Sequence, residues 1–527
     1  MKLGELFQEI PMERVHRYAP ERSLDLITNE SKACRPGALY VAIPGQRVDG
    51  HWFLKEVLER GAEAAIVQHI DESLPLCQIE VPNSRRAWSA LSAVYYGHPS
   101  RGMMVYGITA TNGKTTISFM LDSILRGAHH KPGLIGTVKI RLGDELLAAQ
   151  MTTPEAFVLQ RYFREMADHG LDSCVMEVSS SALEQDRAAD VAFDVVSFNN
   201  FSREHIDQHG SLEAYWQAKA SLITQASSKS VAVINLDDAR IRTLQGQSAA
   251  SFLTYGIASK DADLLAVDLQ VSGPTVSFTL LIPRPVYLAG VDRTVPAGAW
   301  PMKVGSPGQH TVANALACCA MALAGGIKPM DLAPGLLAYG GVERRFEVLY
   351  HGPFTILDDH FANQSNIRTT LSSLSQMDYN KLHICYAIRG NRGVIVNREN
   401  VAAMAPFFKD LRVGRFIATQ TLGEVTEKDV VHDEERAAFL DEAVRCGLAP
   451  ELIPPLDEAI EAVLDAADSG DLILLAGCQG MDLGAGKILT LLAQRHPEQK
   501  AKILWPLNDR VCGQTIPHPP NKKETQQ

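Results

Sequence analysis

The sequence predicts an α/β protein of three domains in series: a small N-terminal α/β domain, a central doubly wound, mostly parallel sheet, and a third α/β domain at the C-terminal end. Three observations lead there. Short apolar runs such as "ALYVAI", "SCVMEV" and "DLILLAG" alternate with helical stretches along most of the chain, which is the rhythm of mostly parallel sheets covered by helices. At 527 residues the chain is too long for one core, and about 150 residues per domain gives three or four units. The alternation is also punctuated twice, at "YYGHPSRGM" and near "AYGGVERRFEV", where Gly and Pro favour boundaries.

The domains follow in order. Residues 1–98 contain the runs "ALYVAI", "EAAIV" and "CQIEV" separated by helical segments such as "HWFLKEVLERG", hence a small α/β domain. Residues 99–338 form the central domain, with "MVYGITA", "SCVMEV", "DVVSFNN" and "VAVINL" as strands. Between about 251 and 310 three strand-like runs follow one another without a helix, which reads as a β-rich insertion. Residues 339–505 repeat the strand and helix alternation, and the Pro-rich, polar stretch 506–527 reads as a disordered tail.

Composition narrows the function. The formal charge of −11, from 50 basic and 61 acidic side chains, excludes a general nucleic-acid binder, which needs a basic surface. Nine cysteines without a C-x-x-C pair indicate neither a zinc knuckle nor a disulfide framework and fit a reducing cytosol. The N-terminus lacks the apolar core of a signal peptide, and no run approaches the roughly 20 apolar residues of a membrane span. A cytoplasmic protein without membrane insertion is therefore expected.

The stretch "GITATNGKTTISFMLDSIL" (107–125) bears the strongest motif. A phosphate cradle needs inward backbone N–H groups, a lysine for the β/γ oxygens, a hydroxyl for Mg²⁺ and a following helix N-terminus. Gly113, Lys114, Thr115 and Thr116, between the strand "MVYGIT" and the helix "ISFMLDSILRGA", supply all of these. The standard G-x-x-x-x-G-K-[ST] spacing fails, because Ile108 stands where its first glycine belongs.

"GITATNGKTT" resembles instead the G-x-T-G-T-N-G-K-T-T loop of the Mur ligase family, with Ala110 in place of a glycine, so its backbone should avoid positive φ. "LITNESKACRPGALYVAIPGQRVDGHWFL", "MTTPE", "MEVSSSAL", "FNNFSREHIDQHGSLEAYWQAKASL", "HTVANALACCAMALAGGI" and "VERRFEV" match further family segments in the same order. Within the family the chain is most similar to the UDP-N-acetylmuramoyl-tripeptide synthetase branch. The resemblance implies the three-domain Mur ligase architecture, with a central P-loop ATPase sheet and a C-terminal Rossmann-like α/β domain, and an ATP-dependent, ADP-forming carboxylate–amine ligase acting through an acyl phosphate, with a nucleotide-sugar peptide or related carboxylate as donor and an amino acid or other amine as acceptor.

The same resemblance assigns roles. Lys114 would contact the phosphates, with Asn112, Gly113, Thr116 and Asn200 around them. Two Mg²⁺ ions are implied, held by Thr115, Glu177, His205 and Lys219, the last as N6-carboxylysine, which turns an ammonium into an anionic group. Asn314 would face adenine, and Arg345 and Asp359 would close on the nucleotide from the third domain. Ser31, Thr152, Thr153, Ser179 and Arg187 match donor-binding positions, and Asn391 and Arg392 match the acceptor loop. Each also has a plain structural reading: a salt-bridged carboxylate for Glu177, a helix-surface lysine for Lys219, turn-capping hydroxyls for the donor set.

Departures cluster on the acceptor side. Ala362 replaces the histidine of D-Y-A-H-x-P, Gly393 replaces the last Asp of G-x-G-G-[DN]-R-D, and the diaminopimelate motif D-N-P-R is missing from "FIATQTLGEVTEKD". On the donor side, Ser181 stands where the family has His, and "ESK" (30–32) replaces D-S-R. Phosphate chemistry is retained while specificity residues drift, which suggests an active ligase with an unusual acceptor. Two alternatives stay open: a specialised ligase of a secondary-metabolite or poly-γ-glutamyl-type pathway, and a non-catalytic, regulatory nucleotide-binding homologue.

Overall fold

The computed structural model describes residues 1–512 apart from 8–9, 46–47, 203–208, 273–274, 305–309, 362 and 509. Three large sheets succeed one another along the chain, and a two-stranded ribbon, Val286–Leu288 with Arg293–Val295, accompanies the second. The N-terminal sheet has five strands in the order Arg14–His16, Cys77–Glu80, Ala64–Val67, Ala38–Val41, Leu26–Thr28, all parallel except the first. Its cores contain Leu39, Val41, Ile66 and Ile79 on one face and Tyr40, Ala42, Ala65 and Val67 on the other.

The central sheet has eleven strands. Met104–Thr109 lies in its middle, flanked in parallel by Ser173–Glu177 on one side and Val195–Phe198 on the other. Beyond Val195–Phe198 the order continues Val231–Asn235, Ser251–Gly256, Leu264–Ser272, Thr275–Ile282, Gly298–Val304, and the other edge adds Pro132–Ile135, Lys139–Leu142 and Glu145–Ala148. The stretch 251–310 is thus not an inserted unit. Ser251–Gly256 and Leu264–Ser272 extend the parallel sheet, and Thr275–Ile282 and Gly298–Val304 continue it antiparallel. Alternating burial along Thr275–Ile282 seats Val276, Phe278, Leu280 and Ile282 against the same core as the central strands.

The helix Lys114–Gly127 forms because Ile117, Met120, Leu121, Ile124 and Leu125 fall on one face, all 0–1% exposed. Burying such side chains contributes about 1.5–3 kcal/mol each, so the N-terminus of this helix is fixed against the sheet. Gly113, at φ +84°, provides the left-handed turn into it. Ala110 is buried and is not among the described non-glycine residues with positive φ, as its methyl group requires.

The C-terminal sheet runs Glu347–His351, Thr355–Asp359, Leu472–Ala476, Leu382–Ala387, Val413–Thr419, Glu451–Leu452, parallel except for the first hairpin pair. Residues 506–508 and 510–512, the described part of the stretch expected to be a disordered tail, are built into the fold. Trp505–Leu507 form a 3-10 turn and Arg510 is 2% exposed, held by buried carboxylates whose charge its composition gave no hint of. Residues 513–527 lie outside the described part. No helix among the described residues is long and apolar enough to cross a membrane.

Candidate active site

The carboxyl ends of the central strands converge on Glu177, the last residue of Ser173–Glu177, which is 0% exposed. Thr115 Oγ1, in the first turn of the helix after the loop, donates to Glu177 Oε2 at 3.0 Å. Thr137 donates from its backbone N–H to Oε1 and from Oγ1 to Oε2, both at 2.9 Å. Gly136 is glycine for a local reason: a Cβ there would lie 2.4 Å from Glu177 Oε1. The sequence reading missed Thr137, whose approach to Glu177 depends on strand Pro132–Ile135 lying beside Ser173–Glu177.

Two lysines reach one carbonyl of the loop. Lys114 Nζ donates to Ala110 O at 2.9 Å, and Lys219 Nζ donates to the same oxygen at 2.7 Å. Lys219 is 1% exposed and sits 5.0 Å from the centroid of the Tyr215 ring. Its burial removes the helix-surface reading, since a buried lysine is kept only where its charge is answered. Asn200 clamps the loop in two places, accepting from Asn112 N at 2.9 Å and donating to Asn112 O at 2.8 Å. Thr116 shares a side-chain hydrogen bond with Tyr339, whose hydroxyl burial pushes to higher pKa.

The residues expected on the donor side gather on the backbone of Glu177 and around Thr153. Thr153 Oγ1 donates to the Glu177 carbonyl at 2.9 Å and accepts from Ser179 N at 3.0 Å. Thr152 Oγ1 lies 3.1 Å from Thr137 Oγ1. Arg187 Nη1 donates to Thr153 O at 3.2 Å, and its Nε pairs with Glu155 at 3.1 Å. Ser31 opens the short helix Ser31–Ala33 of the N-terminal domain. Its neighbour Glu30 lines a cavity of about 570 Å³ together with Met151, Pro154 and Glu155, so the first domain meets the Thr152–Thr153 segment there.

Across the loop, a cavity of about 300 Å³ is walled by Asn112, Gly113 and Asn314 of the central domain and by Arg345, Asp359 and His360 of the C-terminal one. Asn314 Oδ1 would stand 3.1 Å from a Cβ at Gly113, so only glycine leaves that approach relaxed. Asp359 accepts from Phe346 N at 2.8 Å and Phe361 N at 3.2 Å. Burial nevertheless pushes its carboxyl up to about 6. Burial, followed by the charges of Arg344 and Arg345, pushes the His360 imidazole down to about 4.

Asn391 and Arg392 do not line that cavity. They sit beyond the end of Leu382–Ala387, in a loop whose N–H groups at Asn391, Arg392 and Gly393 all donate to Glu435, at 2.9, 2.7 and 2.7 Å. His205 lies outside the described residues. Among the described residues no group of three His, Cys, Asp or Glu stands together as a metal site.

Residues 108–322 match the Mur ligase middle domain, residues 344–479 the Mur ligase glutamate ligase domain, and residues 23–95 the Mur ligase family catalytic domain. A UDP-N-acetylmuramoyl-L-alanyl-D-glutamate–2,6-diaminopimelate ligase of Bacillus velezensis is 32% identical over 487 residues, covering 90% of this chain and 94% of that protein. The chain belongs to the Mur ligase family. It is accordingly an ATP-dependent acid–amino-acid ligase. The Listeria monocytogenes ligase of the same name is 31% identical over 498 residues, covering 90% and 93%. A solved structure of such a ligase superposes with a TM-score of 0.67 over 90% of this chain and 93% of its own, at 22% identity, which speaks for the fold. The three-domain Mur ligase architecture expected from the motifs is therefore the one present.

Proposed function

We propose that this Mur ligase couples ATP to amide formation between the terminal carboxylate of a UDP-N-acetylmuramoyl peptide, or a closely related carboxylate, and an amine other than diaminopimelate. ATP phosphorylates the donor carboxylate, and attack of the amine on the acyl phosphate releases phosphate. The observation behind this reading is the double duty of Glu177: its carboxylate ties down Thr115 beside the phosphate loop while its carbonyl anchors Thr153 on the donor face. Phosphoryl transfer depends on positioning and charge stabilisation more than on covalent catalysis, and one buried residue places both reactants.

Lys114 neutralises phosphate charge, Asn200 holds the loop open at Asn112, and Asn314, Arg345 and Asp359 enclose the base and ribose side. The donor set fits Mg²⁺, a hard ion that takes one or two carboxylates and keeps waters and substrate phosphates as its other ligands. Thr115 and Glu177 supply such oxygens, with His205 and Lys219 as further holders. When bound, the ions would neutralise the charge that develops on the transferring phosphoryl. Carbamylation of Lys219 to N6-carboxylysine suits its place: fully enclosed, beside the loop carbonyl of Ala110, where an anionic group would serve a cation.

The acceptor assignment rests on what replaces D-N-P-R. Residues 420–429, after the strand Val413–Thr419, contain no arginine. Thr421 Oγ1 instead donates to Gly480 O at 2.8 Å, closing the strand end on itself. A guanidinium that would grip a second carboxylate of the amine is absent from that stretch. The related ligases named above favour neither the specialised-pathway nor the non-catalytic alternative.

The test is phosphate release with ATP, Mg²⁺, UDP-muramoyl peptides of increasing length and a panel of amines. Stimulation by one donor with an amine other than diaminopimelate is the expected result. No stimulation by any combination, with ATP still bound, would refute the reading. Lys219→Ala should lower turnover at least about a hundredfold, with partial recovery on adding bicarbonate or short carboxylates; full activity in that variant would remove Lys219 from the site.

A further inference from the structure

Residues Arg510–Cys512 lie outside the three family matches, the last of which ends at residue 479, yet they are bonded into the turn that joins the central and C-terminal domains. Arg510 donates through Nη2 to Asp358 Oδ2 at 2.5 Å and through Nη1 to Glu347 Oε2. The other oxygen of Asp358 accepts from Arg344 Nε at 3.2 Å, so this 0%-exposed carboxylate is gripped from both sides. The N–H of Val511 reaches both oxygens of Glu343, at 3.0 and 2.9 Å, and the N–H of Cys512 reaches Oε2 at 2.9 Å. Glu343 Oε1 also faces Lys139 Nζ of the central domain at 3.5 Å. The Cys512 side chain bonds Asp482, which pairs with Arg344.

The turn so clasped is the one that places the nucleotide-facing wall. Arg344 and Phe346 have φ +58° and +55°, a region sparsely populated by non-glycine residues, and such strain persists only where surroundings over-determine it. Arg345 sits between them. Phe346 N donates to Asp359, and His360 N donates to Arg344 O at 2.8 Å. Three cations, Lys139, Arg344 and Arg510, face Glu343, Glu347, Asp358 and Asp482, and removing one leaves two cations to answer four carboxylates.

We propose that Arg510–Cys512 is a clasp that positions Arg345 and Asp359 for the nucleotide, with Arg510 acting as a positioning residue through Asp358 and Glu347. None of the three clasp residues lines the cavity, so their effect passes through the turn. The inference rests on the cavity between the central and C-terminal domains being the nucleotide site.

The experiment is calorimetric titration of the full chain with Mg·ADP, alongside thermal melting, for Arg510→Met, Arg510→Lys and Val511→Pro. The last removes one N–H at Glu343 and leaves every charge in place. Arg510→Met should weaken Mg·ADP at least about tenfold, Arg510→Lys should recover part of that, and Val511→Pro should cost about threefold. Lowered melting temperatures with unchanged Mg·ADP affinity in Arg510→Met and Val511→Pro would mean a merely structural role and overturn the clasp. If Arg510→Met does not fold, Val511→Pro decides in the same way. Lys114→Ala is the control: undiminished Mg·ADP binding there would overturn the nucleotide site itself, whatever the clasp variants do.

Discussion

Two loops of this ligase are each organised by one buried glutamate, and the contrast between them separates what is kept from what has changed. Glu177 accepts from Thr115 and twice from Thr137, and it stands within a segment matching the family motif. Glu435 accepts N–H groups from His432, Asn391, Arg392 and Gly393, and it supports a loop in which Gly393 replaces the family's aspartate. Burial alone would raise the Glu435 carboxyl, but those four N–H bonds outweigh it and hold the group below the ordinary range. The phosphate side keeps its local motif. The loop proposed for the acceptor is held instead by a carboxylate from the helix Asp433–Arg445, 42 residues along the chain from Gly393.

The largest expected effect tests the first half of the contrast. Lys114→Ala removes the cation of the phosphate loop and should lower kcat at least about a thousandfold, read by phosphate release with the donor and amine found active. Activity within tenfold of the wild type would break the assignment of this loop to phosphate chemistry.

A second test concerns the groups between the two loops. The unfolded His360 side chain takes a proton below about 6.5, the folded one only below about 4. Between those values the unfolded state binds more protons, so the His360 contribution makes the protein less stable as pH falls from about 6.5 to about 4. Asp359 works in the opposite sense, because its folded carboxyl, raised to about 6, holds a proton that the unfolded one releases above about 4. His360→Asn should thus be stabilising by about 2 kcal/mol more at pH 4.5 than at pH 7.5, measured by urea unfolding. An equal effect at both pH values would remove the buried imidazole from the account.

The third probes the acceptor loop. Glu435→Gln keeps shape but offers one accepting oxygen and an NH₂ that repels the loop amides, at about 1–3 kcal/mol for the unmet donors. The KM for the amine should rise about tenfold with KM for ATP unchanged. Equal changes in both would join two loops that the contrast keeps apart.

What could be read beforehand follows from locality. The strand–loop–helix at Gly113 and the places of Glu177 and Lys219 beside it were legible because they are written in short contiguous motifs, each next to a strand or helix whose pattern is also local. The three sheets were legible through alternation alone, except that the runs between 251 and 310 gave no sign of joining an existing sheet rather than forming their own, since pairing partners are non-local. Thr137, Glu435 and Arg510 were missed for the same reason: each matters through a partner 40, 42 to 44, or 152 to 163 residues away. For the described residues after 505 the polar composition misled because the carboxylates that hold Arg510 lie far away along the chain.

Thr137 offers the finest test of the contrast, because it touches Glu177 without belonging to any quoted motif. Thr137→Val keeps the shape and the backbone donor to Oε1 but deletes the Oγ1 bond to Oε2 and the contact with Thr152. Thr115 still donates to Oε2, so the carboxylate stays partly oriented and the loss should be about 1 kcal/mol, roughly fivefold in kcat/KM. Glu177 serves both reactants only if it couples them. The loss should then appear in kcat/KM for ATP and for the donor alike, and Thr137→Ser should restore most of both. A fall confined to ATP would leave the donor face held by Thr153 and Ser179 alone, and the two faces of Glu177 would have to be treated as independent.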